Sequence, residues 1–126
     1  MATLFLVEDH AIMRRALHML LQREPDFSIV GEAASGEEAL AELENLATLP
    51  DLVVLDISLP NMSGLDLLSE LQSRWPSLPC VVLSGHDRSV YVERARSAGA
   101  RAYIHKSAVH EIVPGIRNLL NGVQNW

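Results

Sequence analysis

The feature that most constrains the fold is an alternation, repeated five times, between short apolar runs and segments of helical periodicity. The apolar runs cover residues 3–8, 27–33, 52–56, 80–84 and 101–106. Most are nearly continuous stretches of valine, isoleucine and leucine, which is typical of parallel strands covered on both faces. The second run, FSIVGEA, alternates more between apolar and polar residues, which favours an edge strand.

Helical segments follow the apolar runs, and we predict helices at residues 11–23, 35–43, 63–75, 87–99 and 109–121. In the first helix the apolar residues are expected to form one buried stripe that contains Ile12, Met13, Ala16, Leu17, Leu20 and Leu21. The arginines of this helix are expected to lie away from the stripe, at positions 14, 15 and 23.

Three of the predicted helices begin with a residue of the capping type. Ser35 and Glu38 have the spacing of a capping box, in which each side chain satisfies a free backbone N–H at the start of the helix. Ser63 and Asp87 are expected to cap the third and fourth helices. A glycine stands at the predicted end of the fourth helix, and another follows the fifth.

A βα unit repeated five times predicts a single α/β domain. Crossovers between parallel strands are right-handed, so the helices cover both faces of the sheet and produce a three-layer, doubly wound fold. The 126 residues suffice for one hydrophobic core. The sequence contains no linker, internal repeat or low-complexity segment.

Composition argues against several classes of function. The net charge of −6 argues against a nucleic-acid surface on this domain. The apolar runs are far shorter than the roughly 20 residues of a membrane span, and the N-terminus lacks the pattern of a secretory signal. The single cysteine, Cys80, excludes an internal disulfide and fits a reducing cytosol. We therefore expect a cytoplasmic domain with no membrane contact and no direct nucleic-acid binding.

Polar residues collect where the predicted strands end. The first run ends in Glu8-Asp9, the third in Asp56, the fourth in Ser84 and the fifth in Lys106, the only lysine. Taken singly, each has an ordinary structural interpretation as a cap, a turn residue or a solvated side chain. In a doubly wound sheet, however, ligands bind outside the carboxyl ends of the strands. We therefore expect these side chains to meet in one cleft.

The predicted cleft has the chemistry of phosphoryl transfer. Three carboxylates held together repel one another and raise each other's pKa, and a bound divalent cation removes that penalty. Oxygen ligands, with no His or Cys at a suitable spacing, favour Mg²⁺ or Mn²⁺ over zinc. A cation and the Lys106 ammonium would neutralise the oxygens of a phosphoryl group. Asp56, on the central strand, is the predicted nucleophile.

Four segments together resemble the receiver domain of two-component response regulators. They are VEDH at 7–10, VVLDISLPNMSGLDLL at 53–68, VVLSG at 81–85 and AGARAYIHKS at 98–107. Their order and spacing are specific, and the resemblance covers essentially the whole chain. It implies a flavodoxin-like (βα)5 domain with a central parallel sheet of strand order 2-1-3-4-5.

The resemblance also implies how a metal would be held. Asp56 matches the residue that accepts the phosphoryl group. Asp9 matches the acidic residue that binds Mg²⁺ directly, and Glu8 matches a partner that binds the ion through water. Asp56 itself and the backbone carbonyl of Ser58 match the other protein ligands of the ion.

Further positions match residues that bind or respond to the phosphoryl group. Lys106 matches the lysine that pairs with the phosphate. Ser84 matches the hydroxyl residue that moves to meet it, and Tyr103 matches the aromatic residue that turns inward at the same time. Pro60 and Gly64 match the turn that follows the phosphorylated strand.

Three features depart from the family pattern. Glu8 stands where aspartate is common, and its extra methylene still allows binding of a metal through water. His86 and Ser58 occupy positions that in this family tune how water reaches the acyl phosphate; a solvated loop histidine is the alternative for His86. Pro114-Gly115 lies within the last helix and disfavours that helix as a dimerisation face.

The wording of the motifs is closest to receivers joined to a C-terminal helix-turn-helix domain of the quorum-sensing-regulator type. Residues 1–126 are expected to form one receiver domain, without the DNA-binding domain. We favour a receiver taken from a longer protein over a single-domain regulator. The implied partners are a sensor histidine kinase and a second copy of the chain on phosphorylation.

The main hypothesis is a phosphorylation-dependent signalling switch that is not a turnover enzyme. A stand-alone receiver that acts through protein–protein interaction is the first alternative, and an aspartate-nucleophile phosphatase is the second. A phosphatase would need a second acid near the nucleophile, where Ser58 offers only a hydroxyl. A flavin-binding module is disfavoured because Glu8-Asp9 would repel a phosphate. A scaffold that works without phosphorylation leaves the acidic set unexplained.

Overall fold

The computed structural model describes residues 1–123 and confirms the predicted α/β architecture. The strands are β1 (Ala2–Val7), β2 (Phe27–Ala33), β3 (Leu52–Asp56), β4 (Cys80–Ser84) and β5 (Ala102–His105). The helices are α1 (Ala11–Gln22), α2 (Gly36–Asn45), α3 (Gly64–Arg74), α4 (Arg88–Ser97) and α5 (Val109–Leu120). The strands are parallel and form one sheet in the order β2-β1-β3-β4-β5, with β2 at an edge. The predicted domain limit at Trp126 lies outside the described residues.

The carboxyl ends of two strands lie one residue earlier than predicted. β1 ends at Val7 and β5 ends at His105, so Glu8 and Lys106 follow their strands rather than closing them. Both residues still donate a backbone hydrogen bond to the neighbouring strand, Glu8 to the carbonyl of Ala33 and Lys106 to the carbonyl of Ser84. The chain therefore leaves the sheet only after each charged residue has been placed at its edge.

Apolar residues on both faces of the sheet form the core. Successive side chains of a strand point to opposite faces. Val53 and Leu55 of β3 accordingly pack in the cluster that contains residues of α2 and α3, while Leu52 and Val54 pack in the cluster that contains residues of α1 and α5. All five residues of β3 are buried, which explains why its sequence is continuously apolar up to Asp56.

The predicted buried stripe of α1 is wrong at two positions. Leu17 and Leu21 are buried, but Ile12 is 88% exposed and Ala16 is exposed as well. The six apolar residues span about half of the helix circumference at 3.6 residues per turn. Only the part of that arc that faces the sheet can be covered, and the pattern alone does not specify which part.

The three predicted capping residues are confirmed, although the structure shows only the Ser35 half of the predicted capping box. The Ser35 and Ser63 hydroxyls accept hydrogen bonds from the backbone N–H of the residue three positions later, at 3.2 Å in both cases. The Asp87 carboxylate accepts one from the N–H of Ser89 at 2.9 Å. In the described part of the chain, no helix combines the length and the apolar character needed to cross a membrane.

Helix α5 continues through Pro114, which lies beyond its first turn. The proline is exposed, while Gly115, Ile116 and Leu119 face the core. Arg117 fixes the end of the helix, because its guanidinium lies 2.6 Å from Glu24, within hydrogen-bond distance of Asp26 and 4.7 Å above the ring of Phe27. Core packing and these contacts offset the backbone hydrogen bond that the proline cannot make.

Candidate functional site

The carboxyl ends of four adjacent strands bring the predicted site residues to one edge of the sheet. Asp56 is the last residue of β3, the central strand, and Glu8 and Asp9 directly follow β1. Ser84 ends β4, and Lys106 follows β5. The strands are parallel, so residues that follow each of them in the sequence also lie together in space.

Lys106 pairs with two of the carboxylates. Its Nζ lies 2.6 Å from Oε1 of Glu8 and 3.2 Å from Oδ2 of Asp56. The side chains of Glu8 and Asp56 are only 2% and 4% exposed. Because water is largely excluded, the ammonium interacts strongly with both acids and holds them beside each other.

The charges of this group perturb its titration. Burial raises the pKa of Asp56; the charge of Lys106 opposes this and that of Glu8 adds to it, and the resulting pKa lies above the ordinary value. Burial lowers the pKa of Lys106, but its hydrogen bond with Glu8 and the charges of Asp56 and Glu8 outweigh that effect and raise the pKa. Lys106 therefore stays charged at neutral pH, whereas ionisation of Asp56 costs folding free energy.

The acidic residues fit a divalent cation. Glu8, Asp9, His10 and Asp56 each offer a ligand atom, and these atoms all lie within 4.8 Å of one another. Oδ1 of Asp9 is buried and accepts no hydrogen bond, although Nδ1 of the exposed His10 lies 3.3 Å away in an ion-pair contact. A bound cation would satisfy this oxygen, which is otherwise costly to bury. A donor set dominated by carboxylate oxygen suits Mg²⁺ or Mn²⁺.

His10 corrects the expectation that no histidine stands at a suitable spacing. Its Nδ1 lies 3.3 Å from Oε2 of Glu8 and 3.3 Å from Oδ1 of Asp9. The side chain is 69% exposed, so His10 lies at the rim of the acidic group. Its position directly after Asp9 in VEDH was the signal that could have revealed it.

Ser58, Ser84, His86 and Tyr103 form a hydrogen-bonded network at the same edge. Ser84 and Tyr103 are both buried, so Tyr103, which was expected to turn inward on phosphorylation, already points inward in this structure. The Ser84 Oγ accepts from the backbone N–H of His86 at 3.0 Å, and the hydroxyl of Tyr103 donates to the His86 carbonyl at 3.2 Å. Nε2 of His86 lies 3.0 Å from Oγ of Ser58. His86 therefore joins the loops that follow β3 and β4, and Tyr103 links it to β5. The effect of the contact between His86 and Ser58 on the rate at which water removes the phosphoryl group stays a prediction.

The turn after β3 contains the predicted Pro60, and it ends at the predicted Gly64, the first residue of α3. The backbone N–H of Met62 donates to the Pro60 carbonyl at 2.7 Å, and that of Gly64 donates to the Ile57 carbonyl at 2.7 Å. Between them, Asn61 has φ 67°, a left-handed conformation that asparagine tolerates better than most residues. Asn61 is not among the residues predicted from the sequence, although its place after Pro60 is typical of a turn.

Comparison with known proteins identifies the family. A family model described as the response regulator receiver domain matches residues 4–115. The chain belongs to this family. The fold described above is thus that of a receiver domain, of the kind found in two-component transcriptional regulators. The predicted subfamily is also confirmed, since the relatives include regulators of the LuxR, NarL and UhpA types.

Individual relatives of the receiver are longer proteins. This chain is 40% identical over 123 residues to transcriptional regulatory protein UhpA of Salmonella typhimurium, and the aligned region covers 91% of this chain and 60% of that protein. It is 41% identical over 106 residues to the DNA-binding transcriptional activator DevR/DosR of Mycobacterium tuberculosis, which covers 84% and 48%. The chain therefore spans between about half and three fifths of the length of these relatives.

Solved structures share the whole fold of the receiver. A two-component response regulator of the LuxR family from Aurantimonas sp. SI85-9A1 superposes with a TM-score of 0.93 at 30% identity, covering 99% of this chain and 89% of that one. A DNA-binding response regulator of the LuxR family from Staphylococcus aureus gives a TM-score of 0.86 at 28% identity, with 96% and 100% covered.

Proposed function

We propose that this receiver is a phosphorylation-dependent switch in which Asp56 accepts a phosphoryl group beside a bound Mg²⁺. The observation that carries the proposal is the setting of Asp56, a buried carboxylate at the carboxyl edge of the sheet. It lies 3.2 Å from the Lys106 ammonium and within one cluster with Glu8 and Asp9. Membership of the receiver family supports the same assignment.

The proposed donor is a phosphohistidine of a sensor histidine kinase. A carboxylate oxygen of Asp56 attacks the phosphorus atom, so an O–P bond forms while the P–N bond of the phosphohistidine breaks. The electron pair of that bond stays on the departing imidazole, which takes up a proton from solvent. The product is an aspartyl phosphate, and no external substrate is turned over.

The residues around Asp56 prepare it for this reaction. Asp9, Asp56 and the backbone carbonyl of Ser58 would hold Mg²⁺, and Glu8 would bind it through water. When bound, the ion neutralises charge on the phosphoryl oxygens and on the carboxylates that the donor must approach. Lys106 would turn its ammonium from Glu8 and Asp56 towards the phosphoryl group.

The switch is proposed to run through Ser84 and Tyr103. The Ser84 hydroxyl now accepts a hydrogen bond from His86, and it would give up that contact to bind a phosphoryl oxygen. Because Tyr103 also bonds to His86, the loop after β4 and the neighbouring surface of α4, β5 and α5 would rearrange together. Two arrangements that differ by a few kcal/mol suffice for such a response.

Acetyl phosphate offers a direct test of phosphoryl uptake. With Mg²⁺ present, intact-mass spectrometry is expected to show the mass of one added phosphoryl group on the chain. EDTA, or the substitution Asp56→Asn, should abolish the addition, while the matched change Asp66→Asn at an exposed carboxylate should leave it intact. An addition of the same size on the Asp56→Asn chain would contradict the proposal.

The contact between His86 and Ser58 is expected to slow the loss of the phosphoryl group. It ties together the loops that follow β3 and β4, at the ends of adjacent strands, and so restricts the entry of water beside Asp56. The substitutions His86→Ala and Ser58→Ala should each shorten the lifetime of the phosphorylated chain several-fold, measured by intact mass after removal of the donor. Unchanged lifetimes would leave His86 as an ordinary loop residue.

The output is proposed to be transcriptional. The relatives UhpA and DevR/DosR are a transcriptional regulatory protein and a transcriptional activator that are longer than this chain. We propose that residues 1–126 form one cytoplasmic receiver domain, and that a linked helix-turn-helix domain makes the DNA contacts. Phosphorylation would act by changing how the receiver binds a second copy or its effector domain.

A further inference from the structure

Arg14, in the first turn of α1, connects the acidic cluster to β2, the strand at one side of the sheet. Its Nη1 donates a hydrogen bond to the backbone carbonyl of Glu8 at 2.8 Å. Its Nε lies 3.6 Å from Oε1 of Glu32, and the other oxygen of Glu32 lies 2.6 Å from Nδ1 of His18. The guanidinium is thus held between a carboxylate on β2 and the residue with which the acidic cluster begins.

The Glu8 carbonyl that Arg14 contacts belongs to the peptide unit that joins Glu8 to Asp9. That unit is planar and contains the Cα atoms of both residues, so holding its oxygen restricts the points from which the two acidic side chains start. The N–H of Glu8 is held from the other side by the carbonyl of Ala33 at 3.0 Å. Arg14 therefore completes a two-sided restraint on the backbone of the Glu8-Asp9 pair.

We infer that Arg14 is a positioning residue for the cation site, acting through the Glu8-Asp9 backbone rather than by touching the ion. The inference rests on the proposed function. Metal ligands must be held within about 0.5 Å of their productive positions. Groups that orient ligands typically contribute 10- to 100-fold to metal affinity.

Charge and position predict opposite effects of removing Arg14. A positive charge near a cation site repels the ion, so a role of charge alone predicts that Arg14→Ala tightens Mg²⁺ binding. A positioning role predicts that the same change weakens it. Arg15 provides the matched control, since it is the exposed neighbour of Arg14 on the same helix and carries the same charge.

Isothermal titration with Mg²⁺ measures the effect directly. Arg14→Ala is expected to weaken binding about 10-fold, while Arg15→Ala leaves it unchanged or slightly tighter. Arg14→Lys keeps the charge but replaces the planar fork by a point donor, so its affinity should fall between those of Arg14→Ala and the unsubstituted chain. If Arg14→Ala does not fold, Arg14→Lys carries the same test.

A second readout separates positioning from loss of stability. The Mg²⁺ concentration that gives half of the maximal uptake from acetyl phosphate should rise about 10-fold in Arg14→Ala, while the rate at saturating Mg²⁺ stays near that of the unsubstituted chain. Arg117→Ala removes ion pairs with Glu24 and Asp26, just before β2 begins and therefore at the end of the sheet away from the acidic cluster. It should lower the unfolding temperature without moving that concentration.

The possible results separate the role of Arg14 from the proposed function of the receiver. Mg²⁺ binding by Arg14→Ala that matches or exceeds that of the unsubstituted chain would overturn the role of Arg14 and leave the proposed function standing. An equal loss of affinity in Arg117→Ala would overturn it as well. Failure of the unsubstituted chain to bind Mg²⁺ would overturn the proposed function and this inference together.

Discussion

The substitution Asp56→Asn is expected to raise the unfolding temperature of the chain in EDTA. The pKa of Asp56 is raised in the folded state, first by burial and then by the charge of Glu8, against the opposing charge of Lys106. When the pKa of a carboxyl group is higher in the folded than in the unfolded state, the folded state loses stability as the pH rises above the unfolded-state value. Ionised Asp56 therefore destabilises the folded chain at neutral pH. Asparagine removes that charge and leaves Lys106 paired with Glu8 at 2.6 Å.

The same substitution should remove the stabilisation that Mg²⁺ gives the unsubstituted chain. A ligand at 100 times its dissociation constant stabilises the folded state by about 2.7 kcal/mol. For a domain of this size, that corresponds to a rise of roughly 10 °C in unfolding temperature. Without Asp56 the site loses a carboxylate, so the rise should be much smaller.

Thermal unfolding followed by circular dichroism checks both parts, with Asp66→Asn as the control for the loss of an exposed charge. The advantage of Asp56→Asn in EDTA should shrink as the pH falls below the raised pKa of the folded state, and it should vanish below the ordinary titration range of aspartate, where the carboxyl is protonated in both states. A lower unfolding temperature for Asp56→Asn in EDTA at neutral pH would contradict the electrostatic account. An undiminished effect of Mg²⁺ would contradict the cation site.

The substitution Gly64→Ala is expected to damage both stability and the site. A Cβ atom at this position would lie 2.2 Å from the carbonyl oxygen of Asp56 and 2.5 Å from Cα of Ile57. Both are backbone atoms, so no side chain can turn aside to make room. The start of α3 and the end of β3 must then separate, and the Asp56 carboxylate moves with them.

We expect Gly64→Ala to lower the free energy of unfolding by about 1–3 kcal/mol or more, the cost typical of an overpacked core. Phosphoryl uptake should also become slower. Gly85→Ala is the matched control, since it adds the same methyl group in the loop after β4. There a Cβ atom meets nothing within 4 Å. Urea unfolding and uptake from acetyl phosphate compare the two variants. Equal stability of the two variants would show that the end of β3 tolerates the shift.

The convergence of the site was predictable because it depends on topology. In a parallel sheet the residues that follow neighbouring strands meet at one edge, so Glu8, Asp56, Ser84 and Lys106 could be brought together from their positions after apolar runs. The buried set of β3 was equally predictable, since a strand covered on both faces must be apolar throughout.

Other contacts could not be predicted because they depend on how loops and helices face one another. The outward orientation of Ile12 follows from which part of α1 meets the sheet. The contact of Arg14 with the Glu8 carbonyl follows from the same orientation. The contact between His86 and Ser58 depends on the paths of two loops that are 28 residues apart in sequence. Periodicity and spacing carry no information on these three features.

The central claim is that the phosphoryl group resides on Asp56, and chemical trapping tests it most directly. Borohydride reduces an aspartyl phosphate to homoserine, and peptide mass spectrometry then locates the reduced residue. After incubation with acetyl phosphate and Mg²⁺, homoserine is expected at position 56, and none is expected when EDTA is present. Reduction at Asp9 in place of Asp56, or phosphoryl uptake with position 56 unmodified, would contradict the account.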